Sequence, residues 1–322
     1  MKSKNKKIVL LLAGGTTLNE QDIGGSSVHQ EKDIQSWLNQ IAEISLMAEI
    51  EPVFICGEEN KLKGIELWQK ISRLIYEKAD KADGFVIVAG LEAILNLGIA
   101  LSFALRNLNK AIILTSSQIS REVIELSDWQ EKKKKSYGGL GVKANLINSV
   151  QTVNLGLPAA ALMFGNRIIR PVKAKRIQRF GLNLFESADG SYLGKIDFGI
   201  SLTEKLPIKN QRVELNDKFQ DKIQIINYLP GIDFNEAMDN QAKGIIIRDL
   251  PNLRLLDVNQ RSSPILVYSP FMHGTKTASD NIIVVDDLTW ETAVVKFMWA
   301  LGQGGNVGIL MKHELCNEFI HH

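Results

Sequence analysis

Ile8-Val9-Leu10-Leu11-Leu12-Ala13-Gly14-Gly15-Thr16-Thr17-Leu18 decides how this chain is read. The first six residues are apolar without alternation, the pattern of a strand buried on both faces of a parallel sheet. Gly14 and Gly15 then let the backbone turn sharply and come close to a ligand. Thr16 and Thr17 place two hydroxyls at the carboxyl end of that strand, where open α/β sheets bind their ligands. Two readings of the corner compete. Thr16 is either a nucleophilic or ligand-binding hydroxyl, or a polar residue capping a tight turn. A phosphate loop is excluded, because neither the dinucleotide spacing of glycines nor a Gly-Lys-Ser/Thr ending is present.

The same alternation of strand and helix continues outward. Ile34, Trp37, Leu38, Ile41 and Ala42 recur at helical spacing, and Pro52 to Cys56 reads as a strand ending at Gly57. Leu67, Ile71, Leu74 and Ile75 mark a helix with Trp68 on its core face. Gly84 to Val88 is a buried strand closed by Ala89-Gly90. Ala93 to Leu108 predicts a helix apolar enough to be covered on most sides. Ala111 to Leu114 is a strand ended by Thr115-Ser116-Ser117-Gln118, and Ala144 to Val153 is again helical. This order predicts a parallel sheet with helices on both faces. Gly165 to Gly199 reads as short antiparallel strands and turns, and polar Pro207 to Asp221 as a linker. A second alternating set comes after it: strands at Ile223–Ile226, Gly244–Ile247 and Pro264–Tyr268, and a helix around Glu236 to Asn240. A final helix runs from Trp290 to Leu301, with Thr289 as its N-cap and Glu291 in its first turn. The predicted division is 1–206, a linker at 207–221, and 222–322.

Composition narrows the function classes. The 322 residues are 45% hydrophobic and 23% charged, an ordinary globular balance whose length predicts roughly two domains. A net charge of +2 is too small to imply a nucleic-acid or membrane partner, and the run Lys132 to Lys135 is only a short solvated patch. Two cysteines, Cys56 and Cys316, make no disulfide framework and fit a reducing compartment. With five scattered histidines they offer no metal-ligand spacing. The basic N-terminus precedes an apolar run too short for a leader, and no stretch nears the ~20 residues of a membrane span. The expectation is a soluble, cytoplasmic protein.

Several segments, taken in order, resemble the bacterial-type L-asparaginases, the family that also includes glutaminase-asparaginases. Ala13 to Leu18 is similar to the family's Thr-Gly-Gly-Thr-Ile-Ala turn. Ala82 to Val88 is similar to the strand before its second catalytic motif, and Asn107 to Gln118 to the end of the next helix and the strand after it. Asn145–Asn148, Gly165–Arg167, Val172–Ala174, Phe185–Ser187, Gly194–Ile196, Tyr228–Ile232 and Lys296–Leu301 keep the family's order. The resemblance implies a two-domain α/β fold: a larger N-terminal parallel-sheet domain and a smaller C-terminal Rossmann-like α/β domain. It implies a homo-oligomer, dimer or tetramer. It also implies hydrolysis of the asparagine side-chain amide to aspartate and ammonia, without metal or cofactor. In the family a Thr hydroxyl attacks the amide carbon. An unassisted hydroxyl is a poor nucleophile, and a mobile-loop Tyr and a Thr–Lys–Asp set assist it.

Carried over residue by residue, the set is incomplete. Thr16 stands at the nucleophile position. The family's His-Gly-Thr-Asp-Thr motif reads Ala89-Gly90-Leu91-Glu92-Ala93 here. Leu91 has no hydroxyl, and Glu92 carries the Asp charge one methylene further out. The lysine position aligns with Ala161, which leaves open whether Lys143 or Lys173 reaches the vacated place. The loop Tyr has no counterpart, the substrate-binding Asp-Ser is replaced by Glu58-Glu59-Asn60-Lys61, and the glycine-rich loop of the second domain by Asp249 to Leu253. The implied site is Thr16 and Glu92 as catalytic groups, with Gly15, Glu59, Asn60, Gly90 and Leu91 around asparagine, aspartate or a similar small ligand. Leu91 and Ala161 are expected to make the pocket apolar, which would raise the pKa of a buried Glu92. Losing a proton-handling partner costs around 10³–10⁴-fold. The expectation is therefore weak or absent hydrolysis. The alternative is a non-catalytic amino-acid-binding protein, or the partner subunit of an active paralogue, on the same fold.

Overall fold

The computed structural model describes residues 5–14, 28–57, 62, 64–116, 142–177, 183–203, 205–208, 211–231, 233–256, 262–269, 272 and 281–320. The opening apolar run forms β1 (Lys7–Ala13), buried from Ile8 onward. Its alternation of side chains feeds two cores, because successive residues of a strand point to opposite faces. Val9, Leu11 and Ala13 pack with Leu67, Trp68 and Ile71 of one helical layer. Ile8, Leu10 and Leu12 pack with Trp37, Ile44, Leu146 and Val150 of the other. A strand covered on both sides has no polar face, which is why its sequence shows no alternation.

β2 (Glu49–Cys56) and β3 (Gly84–Ala89) flank β1 in parallel. After the two-residue β4 (Leu105–Arg106), β5 (Ala111–Thr115) and β6 (Ala160–Phe164) extend the parallel set. Helices α1 (Ile34–Asn39) and α2 (Ala42–Met47) connect β1 to β2, α3 (Gly64–Lys78) leads to β3, α4 (Ile94–Ala104) comes after β3, and α5 (Val142–Asn154) leads to β6. The order β2-β1-β3-β5-β6 reverses direction between β1 and β3. Such a reversal opens a crevice at the carboxyl ends of the two strands.

β7 (Arg167–Ile169), β10 (Gly194–Ile196) and β11 (Ile200–Leu202) complete an eight-stranded sheet in antiparallel fashion, among the described residues. β8 (Ala174–Arg176) and β9 (Phe185–Ser187) pair separately. β12 (Glu214–Leu215) lies in the stretch read as a linker and pairs with β4. The same stretch is tied to the helices: Arg73 meets Asp217 at 2.5 Å, and Trp299 Nε1 donates to the Asn216 carbonyl at 2.9 Å. The second sheet, β13 (Ile223–Asn227), β14 (Gly244–Arg248), β15 (Ile265–Tyr268) and β16 (Ile282–Val285), is parallel in chain order. It carries α6 (Trp290–Gly302) and α7 (Val307–Lys312). Thr289 caps α6, its hydroxyl oxygen accepting from Thr292 N. α6 packs on α4, with Trp299 stacked on Phe103 at 5.7 Å.

Lys296 of α6 and Glu318 form an ion pair at 2.7 Å, both side chains without solvent exposure. Lys296 also donates to the Met311 and His313 carbonyls, each at 2.9 Å. Glu318 accepts from the backbone of Leu315 and Cys316. Among the described residues no helix is long and apolar enough to cross a membrane.

Three expected elements differ. The helix read across Ile34 to Ala42 divides at Gln40–Ile41, where Lys143 Nζ donates to the Gln40 carbonyl and ends α1. The helix read to Leu108 stops at Ala104, because Leu105–Arg106 pairs with β12 instead. No helix forms at Glu236 to Asn240. There the Asp233 and Asp239 carboxylates accept from the backbone of Asn235 and Gln241, offering the chain turns in place of helix.

Candidate active site at the ends of β1 and β3

Gly14 closes β1 with φ +84, a conformation L side chains rarely adopt, and donates its N–H to the Cys56 carbonyl at 3.0 Å. This bond fastens the corner to the end of β2. Cys56 is buried there, and burial pushes its thiol up, which disfavours the thiolate. Gly15, Thr16, Glu59 and Asn60 lie outside the described residues, as do Ser117, Gln118 and His273.

The end of β3 supplies Gly90, Leu91 and Glu92. Among the described residues nothing lies within 4 Å of where a Cβ on Gly90 would sit. The Gly90 carbonyl accepts from Ala93 N and Ile94 N and starts α4. Leu91 is buried in the core cluster shared with α3 and α4. Glu92 is not buried: its side chain is 75% exposed, so the apolar enclosure expected around it is absent.

The cation that reaches Glu92 is Arg176, at the end of β8. Its Nη1 donates to both carboxylate oxygens, at 2.8 and 2.9 Å. Sequence reasoning missed Arg176, although the Val172-Lys173-Ala174 resemblance runs to within two residues of it. Ala161 does not mark the vacated lysine's place. The register aligns Leu10, Val86, Ile113 and Ala161. That level is three residues short of Ala13, about 10 Å below the strand ends at strand rise. Both candidate lysines are engaged elsewhere. Lys143 pairs with Glu43 at 3.1 Å, and Lys173 is buried on Asp189 at 2.7 Å. Burial opposes the Asp189 charge, but Lys173 and the Ser191 and Ser187 donors hold its carboxyl well below the usual carboxylate range.

Thr115 closes β5 beside the end of β3. It is fully buried and donates to the Met163 carbonyl at 2.8 Å, so it faces its own sheet. Asn145 of α5 ties the next two ends together. Its Nδ2 donates to the Ser116 carbonyl at 3.0 Å, and its Oδ1 accepts from Gly165 N at 3.3 Å. Among the described residues no group of three or more His, Cys, Asp or Glu is placed to hold a metal. Among the described residues, the corner presents a glycine turn, a carboxylate and a guanidinium. A guanidinium keeps its charge at any physiological pH, so it can hold an anion but cannot hand over a proton.

The family model described as "Asparaginase, N-terminal" matches residues 7–207. The chain belongs to the asparaginase family. This asparaginase-family protein is 23% identical over 322 residues to an L-asparaginase of Thermococcus kodakarensis, covering 92% of this chain and 93% of that one. It is 22% identical over 340 residues to a subunit of the glutamyl-tRNA(Gln) amidotransferase of Pyrococcus abyssi, covering 97% of this chain and 75% of that one. Among solved structures, the thermostable L-asparaginase from T. kodakarensis superimposes with a TM-score of 0.76 at 20% identity, over 98% of this chain and 100% of that one. L-asparaginase I from Vibrio cholerae gives 0.75 at 22% identity, over 98% and 99%. At such identities the likeness establishes the shared two-domain α/β fold.

Proposed function

We propose that this asparaginase-family protein binds a small amino acid, aspartate, asparagine or a near relative, between the ends of β1 and β3, and hydrolyses the side-chain amide weakly or not at all. The observation that carries the reading is the Glu92–Arg176 pair. Amide hydrolysis takes a proton from the attacking hydroxyl and delivers one to the leaving ammonia. A lysine can do both, cycling between ammonium and amine, whereas Arg176 can do neither. Thr16 is the proposed nucleophile of whatever hydrolysis persists, with Gly15, Glu59, Asn60, Gly90 and Leu91 around the ligand and no cofactor required.

The test is ammonia release from asparagine and glutamine by the purified protein, beside a Thr16→Ala control and a thermal shift with aspartate. The expected result is a raised midpoint with aspartate. Ammonia release is expected at least ~10³-fold below the usual enzyme range of about 1–10³ s⁻¹. Thr16-dependent turnover inside that range overturns the proposal. A second reading, a component working within a complex, is supported by the match to the amidotransferase sequence along 97% of this chain. Light scattering separates the two. A dimer or tetramer of this chain alone supports the first, and a monomer that assembles only with an active paralogue supports the second.

A further inference from the structure

At the opposite end of the large sheet lies a cavity of about 270 Å³. It sits below the starts of β5 and β6, at Ile112, Ala159 and Ala160, and is roofed by Leu315, Cys316 and Asn317. The roof is fixed from behind by the buried Lys296–Glu318 pair. Three cationic residues line the cavity, Arg106, Lys110 and Arg170, and no carboxylate does among the described residues. Lys110 turns its ammonium to the Ala79 and Ala82 carbonyls, so its charge is seated but not neutralised. Glu214 lies opposite Arg106 in the β4–β12 register, yet its carboxylate accepts from Asn107 Nδ2 at 3.5 Å and forms no ion pair with Arg106. Asn107 and Asn317, which both line the cavity, hold left-handed backbones with φ 60, a costly conformation that clusters at ligand sites.

We infer that this cavity is a binding site for a small organic anion, with Arg106 receiving a carboxylate or phosphate head and Ile112, Leu105 and Pro171 receiving its body. The volume is larger than a bare ion would fill, which leaves room for the body of an organic anion. A guanidinium such as that of Arg106 in a concave, partly apolar wall concentrates the field on an anion and discriminates against amines. The site stands apart from the β1–β3 corner and does not depend on what that corner binds.

Isothermal titration of the full chain with succinate, citrate and inorganic phosphate, at ionic strength fixed with chloride, tests the inference and separates carboxylate from phosphate preference. The expected result is one saturable site per chain for at least one of the three. Arg106→Ala is expected to weaken it tenfold or more. Ala159→Trp keeps every charge but fills the space, and is expected to do the same. Arg176→Ala, at the far end of the sheet, is expected to leave it unchanged. Circular dichroism establishes that each variant folds, and Arg106→Gln replaces Arg106→Ala if the latter does not. Absence of binding by all three anions overturns the inference. So does binding that survives both cavity variants, or binding that disappears in Arg176→Ala. The aspartate thermal shift of Arg106→Ala keeps the two sites distinguishable, because a failure at one leaves the other's readout intact.

Discussion

Two ion pairs in this protein use the same chemistry and do different work. Lys296–Glu318 is sealed in the core, and the three N–H groups of its ammonium go to Glu318 and the carbonyls of Met311 and His313. Glu92–Arg176 sits at the β1–β3 corner, with the carboxylate 75% exposed and the guanidinium 27% exposed. Desolvation makes the first pair indispensable once formed, since either charge alone inside the core is worse than none. Water keeps the second pair cheap, so its value lies in what it can exchange partners with. On the proposed reading, stability and recognition fall to different pairs, distinguished by solvent access and not by distance.

The largest break in the comparison comes from Lys296→Ala. It strands the Glu318 carboxylate and is expected to cost about 3–5 kcal/mol in urea unfolding. The double variant Lys296→Met with Glu318→Leu is expected to recover most of that loss. A recovery of nothing would mean that the backbone bonds, not the charges, hold the tail.

Acid provides a second, smaller handle. Burial works against the Glu318 charge, but Lys296 and the Cys316 N–H outweigh it and hold its carboxyl below the ordinary value of 4.5. Asp189 is held below 3.8 in the same sense. The unfolded chain therefore takes up these protons first as pH falls. The stabilisation is complete above about pH 5 and is lost as pH drops through the ordinary values toward the folded ones. Asp287, pushed up by burial, acts in the opposite direction over the same range and reduces the slope. Urea midpoints from pH 7 to pH 3 are expected to fall, and a flat profile would remove Glu318 from the stability argument.

Arg176→Ala is the smallest in stability and the sharpest in function. Unfolding is expected to shift by less than about 1 kcal/mol, as for other exposed pairs, while aspartate affinity falls tenfold or more by calorimetry. A large stability loss with unchanged affinity would show the corner to be a second structural clamp.

Much of the fold was legible because burial wrote itself into single segments. β1, β3 and β5 are unbroken apolar runs, and a strand packed on both faces admits little else. The cap at Thr289 was legible for a similar reason: hydroxyl, carboxylate and apolar stripe lie within a few positions. Arg176 was not, because it joins Glu92 across 84 positions with no periodicity linking them. Ala161 was misplaced because the run Ala159-Ala160-Ala161 offers no feature to fix its register along the strand. Glu318 was overlooked in a tail without pattern, where only the finished packing reveals an interior charge.

The seclusion of Lys296 and Glu318 has a consequence over generations. A change at either codon alone carries a cost of about 3–5 kcal/mol, so a change at one favours a compensating change at the other. Glu92 and Arg176 face water and can be rewritten one at a time at little risk. A scaffold locked at one place and editable at another can acquire new ligands by single steps while its architecture stays fixed.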